Sequence, residues 1–169
     1  QLSTYGRTTR FGTPKVQGLY ILHEGPIGVT GTEGLQEIDY SDLQETPHIT
    51  PGKSSDGWLG IVDKYWAVAM VPNTAQPFQP RYSYFGDNNP RYQVDYISDA
   101  ISLAPGAEMS LETRVFAGAK EVAVIDGYES AYSIRNFDLL IDWGWFYFIT
   151  KPMFYLIDWL FKLLGNFGL

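Results

Sequence analysis

"PRYSYFGDNNPRYQVDYIS", residues 80–98, decides the fold class of this chain. Two runs rich in aromatic and β-branched residues flank Gly86, Asp87, Asn88 and Asn89, residue types that suit tight turns, so the segment predicts a β-hairpin. Side chains alternate sides along a strand, which puts Tyr92, Val94 and Tyr96 together on one face. The same grammar recurs on either side. "GLYILHE" (18–24) reads as a strand, and "GTEG" (31–34) separates it from "LQEIDYS" (35–41). "APG" at 104–106 precedes "EMSLETRVFAG" (108–118), where Met109, Leu111 and Val115 alternate with Ser110, Glu112 and Arg114. Short strands with one wetted face, divided by Gly, Pro and Asn, predict a mainly β chain folded as an antiparallel sandwich.

One helix interrupts the pattern, and a second follows it. Ser55 or Asp56 suits the cap of "GWLGIVDKYW" (57–66), in which Trp58, Leu59, Val62 and Trp66 recur near helical spacing. A helix is therefore expected over about 56–66, packed on the sandwich through Trp58, Val62 and Trp66, with "AVAMVP" (67–72) following as a buried strand. The second helix runs through "AKEVAVIDGYESAY" (119–132), against a cost of roughly 1 kcal/mol for Gly127 in its interior.

Composition narrows the function classes. A hydrophobic content of 45% is enough for a real core. The last 27 residues carry Lys151, Asp158 and Lys162, a net charge of +1, which leaves −8 on residues 1–142 out of the total of −7. So acidic a body excludes nucleic acid, whose phosphates call for a basic stripe. The absence of cysteine excludes disulfides, thiolate zinc sites and cysteine nucleophiles. "QLSTYGRTTRFGTPK" at the start has neither an initiator Met nor an apolar run of signal-peptide length, and the last residues lie within an apolar stretch. The chain reads as an excised segment, with any targeting information upstream.

The final stretch, "WGWFYFITKPMFYLIDWLFKLLGNFGL" (143–169), carries 10 of the 27 aromatic residues but only three charges. On a helix over 151–164, Lys151, Tyr155, Asp158 and Lys162 fall within a sector of about 60°. Met153, Phe154, Leu156, Ile157, Trp159, Leu160, Phe161, Leu163 and Leu164 cover roughly 220° of the remaining arc. Pro152 suits a first turn, and Gly165-Asn166 a stop. A core helix this apolar would need cover on nearly every side. A spanning helix would need more length, since the 13 residues from Pro152 to Leu164 reach about 20 Å against a hydrocarbon core of about 30 Å. Extending it back to Trp143 would put Lys151 near the bilayer centre. The preferred reading is an amphipathic helix lying in the membrane interface, its polar stripe toward water. Trp143, Trp145, Phe146 and Phe148 then join the lipid-facing set, with Trp143, Trp145, Tyr147 and Trp159 at headgroup depth. "NFGL" would begin a further apolar segment.

"FDLLIDWGWFYFITKPMFYLIDWLFKLLGNFGL" resembles a junction in the YidC family of bacterial membrane protein insertases, where the first periplasmic domain gives way to an interfacial helix and then the second transmembrane helix. "GLYILHEGPIGV", "DGWLGIVDKYWAVAMVPN" and "FAGAKEVAVIDGYE" resemble the same domain, in the order expected of proteobacterial members. The resemblance implies a galactose-mutarotase-like β-supersandwich followed by helices packed near the membrane, of which this chain holds the later strands. It divides the chain into sandwich strands with one inserted helix (1–117), a helix and connection (118–142), an interfacial amphipathic helix (143–164) and the start of a transmembrane helix (165–169). It also implies a non-enzymatic insertase and chaperone on the periplasmic side of the bacterial inner membrane, working alone or with the Sec translocon. Its expected partners are membrane lipid, the rest of the insertase chain and nascent inner-membrane proteins. The resemblance further implies an insertion groove in helices beyond Leu169, which leaves positioning and anchoring as the expected role of these residues.

The residues themselves offer no competing chemistry. His23, closing "LYILHEG" with Glu24 on the opposite strand face, and His48, read as a solvated loop residue in "ETPHITPG", do not assemble a nucleophilic triad. "GDNN" at 86–89 has oxygen ligands but lacks the spaced carboxylates of a calcium loop, and Asp95 and Asp99 read as solvated. No catalytic residue, cofactor or metal is expected. The alternative function is a carbohydrate-binding or mutarotase-like module with Tyr82, Tyr84, Tyr92 and Tyr96 as a stacking platform. Tyrosines at alternate strand positions more simply pack on the sheet, and a soluble sugar binder has no use for residues 143–169.

Overall fold

Antiparallel pairing organises the chain in a computed structural model that describes residues 3–9, 22–31, 33–73, 76–86 and 88–165. In order, the elements are β1 (Ser3–Thr8), β2 (Gly25–Thr30), β3 (Gly34–Glu37), α1 (Tyr40–Glu45), β4 (His48–Ile49), β5 (Gly57–Val62), β6 (Trp66–Pro72), β7 (Phe78–Phe85), β8 (Arg91–Ser98) and β9 (Thr113–Ala119). Then come α2 (Val122–Tyr132), a 3-10 turn (Phe137–Leu140) and α3 (Tyr147–Leu164). One sheet has the order β1-β8-β7-β4, the other β3-β2-β5-β6-β9. The chain is thus mainly β, a sandwich of two antiparallel sheets with helices at its C-terminal end, as the hairpin pattern predicts.

The expected 80–98 hairpin forms, with Tyr82 opposite Val94 and Arg81 opposite Asp95. Tyr92, Val94 and Tyr96 are all buried. They join Leu59, Met70, Phe78 and Tyr82 in a core between the two sheets. A second core lies on the far face of the five-stranded sheet, where Ile27, Val29, Trp58, Val62, Ala67 and Ala69 meet Ile125, Ile134, Phe137 and Leu140 from α2 and the segment after it. Among the described residues there are therefore three layers, four strands, five strands and helices, and β5 is covered on both faces.

That layering corrects the expected helix over 56–66. The segment is a hairpin: β5 and β6 pair through Leu59 opposite Met70 and Val62 opposite Ala67, and the Asp63 N–H donates to the Trp66 carbonyl at 2.8 Å. A strand buried on both faces needs apolar residues at consecutive positions. Trp58 faces the helices and Leu59 the opposite sheet, and the run lost the period of two that marks a half-buried strand. The helix among the sandwich strands is instead the short α1. Trp66, expected in the core, is 62% exposed, whereas Trp58 is fully buried.

Three smaller differences follow. Residues 18–21 of "GLYILHE" lie outside the described residues, Leu22 to Glu24 have no regular structure, and β2 follows from Gly25. Met109 and Leu111 precede β9 and are exposed, as is Val115 within it; Phe116 is the β9 side chain that packs on the helix-side core. The final helix starts at Tyr147, so Pro152 sits inside it rather than in its first turn. Proline has no N–H, which leaves the Phe148 carbonyl without its helical donor. The expected helix after the sandwich does form, as α2, with Gly127 exposed in its interior.

Candidate functional site

Among the described residues, exposed apolar side chains concentrate on α3 and the residues leading into it. Its 18 residues extend about 27 Å, and none of them is buried. Met153, Phe154, Leu156, Ile157, Trp159, Leu160, Phe161, Leu163 and Leu164 are all exposed, as are Phe146 and Phe148 before them, and Trp145 is 98% exposed. Trp143 is half-buried. A run of apolar side chains of this extent, left open to solvent, is the mark of a surface meant for lipid or another protein. Among the described residues no helix is long and apolar enough to cross a membrane. The helix closes at Gly165, whose left-handed backbone (φ 69°) turns its N–H onto the Phe161 carbonyl at 2.7 Å. Residues 166–169, expected to begin a transmembrane helix, lie outside the described residues.

The polar stripe divides in two. Toward the N-terminal end of α3, Lys151 and Tyr155 turn onto acidic groups of the preceding helical segment. Lys151 Nζ lies 2.7 Å from an Asp138 carboxylate oxygen and 3.6 Å from Asp126, and the Tyr155 hydroxyl donates to Asp126. Toward the C-terminal end, Asp158 and Lys162 pair with each other at 2.6 Å, four residues apart. Trp143 completes the first group: its indole N–H donates to the Asp138 carbonyl at 3.1 Å, its ring lies 5.8 Å from Lys151 Nζ, and it meets Phe154 edge-on. Thr150 Oγ1 donates to the Trp143 carbonyl at 2.8 Å, and the Asp138 N–H donates to Glu129 at 2.7 Å.

The electrostatics match the geometry. Burial pulls the Lys151 ammonium down, but hydrogen bonding to Asp138 and the charges of Asp138 and Asp126 outweigh it, so its pKa lies above the ordinary lysine value. Burial, then the hydrogen bond to Asp126, raises the Tyr155 phenol. Glu129 is raised chiefly by burial, with the neighbouring Asp138 carboxylate adding to it against the Asp138 N–H. Asp126, Glu129 and Asp138 were missed from the sequence. The signal that points to them is Lys151 itself, a lone cation at the start of an apolar helix that follows a strongly acidic body.

The other sequence candidates are placed elsewhere. His23 is a structural residue: its N–H donates to Asp142 at 3.0 Å, its Nε2 lies 3.1 Å from the Pro26 carbonyl and its Nδ1 3.5 Å from Asp39. His48 is not in a loop but on β4, opposite Ser83, with Nδ1 3.3 Å from its hydroxyl. Asp95 is not solvated. It is 1% exposed and takes hydrogen bonds from Arg81 and Gln93, both at 2.6 Å, whereas Asp99 pairs with Lys53 in the open. Of "GDNN", Asp87 lies outside the described residues. The tyrosine platform does not exist as a surface. Tyr82, Tyr92 and Tyr96 are buried between the sheets, with Tyr84 packed beside them. Their hydroxyls meet Gln36, Gln44 and Thr113, and burial raises the Tyr82 phenol above its ordinary value.

A family model described as the YidC periplasmic domain matches residues 1–156. Curated relatives named membrane protein insertase YidC match the chain almost end to end. The protein of Rhizobium meliloti (strain 1021) is 60% identical over 168 residues, which covers 99% of this chain and 28% of the relative. That of Mesorhizobium japonicum is also 60% identical, and that of Brucella melitensis biotype 1 is 52% identical, with the same coverage. The chain spans 28% of the length of these relatives. With a sandwich of two antiparallel sheets leading into an exposed apolar helix, the chain belongs to the YidC periplasmic domain family.

Proposed function

We propose that this chain is the membrane-proximal part of an insertase's periplasmic domain, and that residues 143–164 lie along the outer surface of the inner membrane as an interfacial anchor. The domain sits on the periplasmic side of the bacterial inner membrane. On this reading residues 1–117 are the sandwich proper and 118–142 the connection that carries α2. Residues 165–169 begin the passage toward a transmembrane helix. The observation that carries the reading is the exposure of every apolar side chain on α3, on a helix whose one polar edge is already engaged at Lys151 and Tyr155. Trp145 and Trp159 suit headgroup depth, where the ring is apolar and the indole N–H stays hydrated.

The parent protein would then assist insertion and folding of inner-membrane proteins, alone or with the Sec translocon, without enzymatic chemistry of its own. This part would hold the sandwich at a set position over the lipid, in contact with the rest of the insertase chain. The test uses the full-length parent in lipid nanodiscs, spin-labelled at Trp159→Cys. Oxygen and a polar nickel chelate should both reach the label, as they do at headgroup depth. A label open to oxygen and closed to the chelate would put α3 in the bilayer centre and overturn the reading. So would a label indifferent to lipid. Leu156→Glu with Leu160→Glu should impair insertion of a substrate protein, whereas Asp158→Asn should leave it near normal.

A further inference from the structure

We propose that Lys151 and Tyr155 form a two-point clamp on Asp126 and Asp138 that sets the roll of α3 about its own axis, so that the protein body decides which apolar arc is left free. The inference rests on the anchor reading above only for what the free arc meets; the clamp itself is internal to the chain.

Positions 151 and 155 are one helical turn apart and share a face. A single ion pair would tether α3 and let it rotate. Two contacts on one face, to acceptors carried by different elements, oppose rotation. Asp126 belongs to α2 and receives the Tyr155 hydroxyl, with Lys151 Nζ 3.6 Å away. Asp138 belongs to the 3-10 turn and lies 2.7 Å from the same ammonium. Both acceptors are held by the fold. Ile125, beside Asp126, and Phe137, beside Asp138, are buried in the helix-side core, and the Asp138 N–H is held by Glu129.

The surroundings favour the ion pair over a solvated one. The Lys151 side chain is 22% exposed and that of Asp138 13%, with the Trp143 ring beside the ammonium. A charge-assisted pair with so little water around it is stiffer than a surface pair. Asp158 and Lys162 continue the stripe but satisfy each other within α3, and so contribute no contact of this kind. The apolar arc from Met153 to Leu164 therefore has its direction fixed by its first two turns.

The test is a distance measurement in the full-length parent in lipid nanodiscs, with spin labels at Ser130→Cys on α2 and Leu163→Cys on α3, both exposed positions. The otherwise native chain should give one narrow distance peak. Lys151→Met, which keeps most of the stem, should lose that peak to a broad distribution, and so should Asp126→Asn combined with Asp138→Asn. Lys151→Arg and Lys162→Met should keep it. A narrow, unshifted peak in Lys151→Met overturns the clamp. Should Lys151→Met unfold the domain, Tyr155→Phe decides, since it removes one hydroxyl from a half-open ring: a peak as narrow as the native one again overturns the proposal. Oxygen accessibility of the Leu163 label, read in the same samples, reports lipid contact separately. Loss of lipid contact with a narrow peak would fail the anchor and leave the clamp standing.

Discussion

Trp58 and Phe137 meet edge-on, ring centroids 5.5 Å apart and planes at 85°, and this contact joins the central strand β5 to the 3-10 turn that precedes α3. The Trp58 indole N–H donates to the Arg135 carbonyl at 3.1 Å, so the largest buried side chain is satisfied as well as packed. The helix layer, and with it the approach to α3, is seated on the sandwich through this residue.

Trp58→Ala should therefore cost about 3–5 kcal/mol, the range for removing a large aromatic from a core. Trp66→Ala, at a position 62% exposed, should cost less than about 1 kcal/mol. Denaturant melts of the two variants check the order, and equal losses would contradict the assignment of faces in β5 and β6.

Arg81 and Asp95 face each other across β7 and β8 with unequal burial, side-chain exposures being 38% and 2%. Removing the exposed partner leaves a buried carboxylate without its cation, whereas removing the buried charge leaves an arginine free to turn to water. Arg81→Met should cost about 3–5 kcal/mol. Asp95→Asn, which keeps an acceptor for Gln93, should cost about 1–3 kcal/mol. Equilibrium unfolding of both variants reads the asymmetry.

Gly57 opens β5 at φ 121°, and a Cβ there would lie 1.9 Å from the Val29 carbonyl oxygen. Gly57→Ala should destabilise by more than about 1 kcal/mol. Gly127 lies within α2, and beyond its own helical backbone and chain neighbours nothing comes within 4 Å of its would-be Cβ, so Gly127→Ala should stabilise by about 0.5–1 kcal/mol. Thermal melts should move in opposite directions.

Arg135 Nη1 donates to Asp56 at 2.9 Å, tying the loop before β5 to the turn after α2. That hydrogen bond leads the effects on Asp56 and outweighs burial, so its folded pKa lies below the ordinary value of 3.8. The carboxylate form is the one the fold favours. Its contribution is present in full above 3.8 and is lost as pH falls through the folded pKa. Arg135→Gln removes the cause, so its urea midpoint should fall less steeply than the native one on the acid side of 3.8. Parallel acid limbs would show that the pair does not contribute.

The antiparallel sandwich was legible because its signals are local. Turn residues between aromatic and β-branched runs specify a hairpin, and the alternation of Tyr92, Val94 and Tyr96 specifies its buried face, whatever lies against it. The same holds for α3, whose narrow polar stripe and broad apolar arc follow from helical geometry alone. Residues 57–66 were misread because burial on both faces removes the alternation, and a second covering layer is a property of the whole molecule.

Asp95 reads as solvated in any one-dimensional view, since only the pairing of β7 with β8 brings Arg81 to it. Likewise, the sequence alone determined that α3 has a polar edge of Lys151, Tyr155, Asp158 and Lys162. Only the tertiary structure decided where that edge points, because its acceptors, Asp126 and Asp138, lie 13 to 29 residues away in sequence and come within reach only once α2 and the 3-10 turn pack on β5. Helical periodicity fixes which residues share a face; the direction of that face depends on charges that packing brings together.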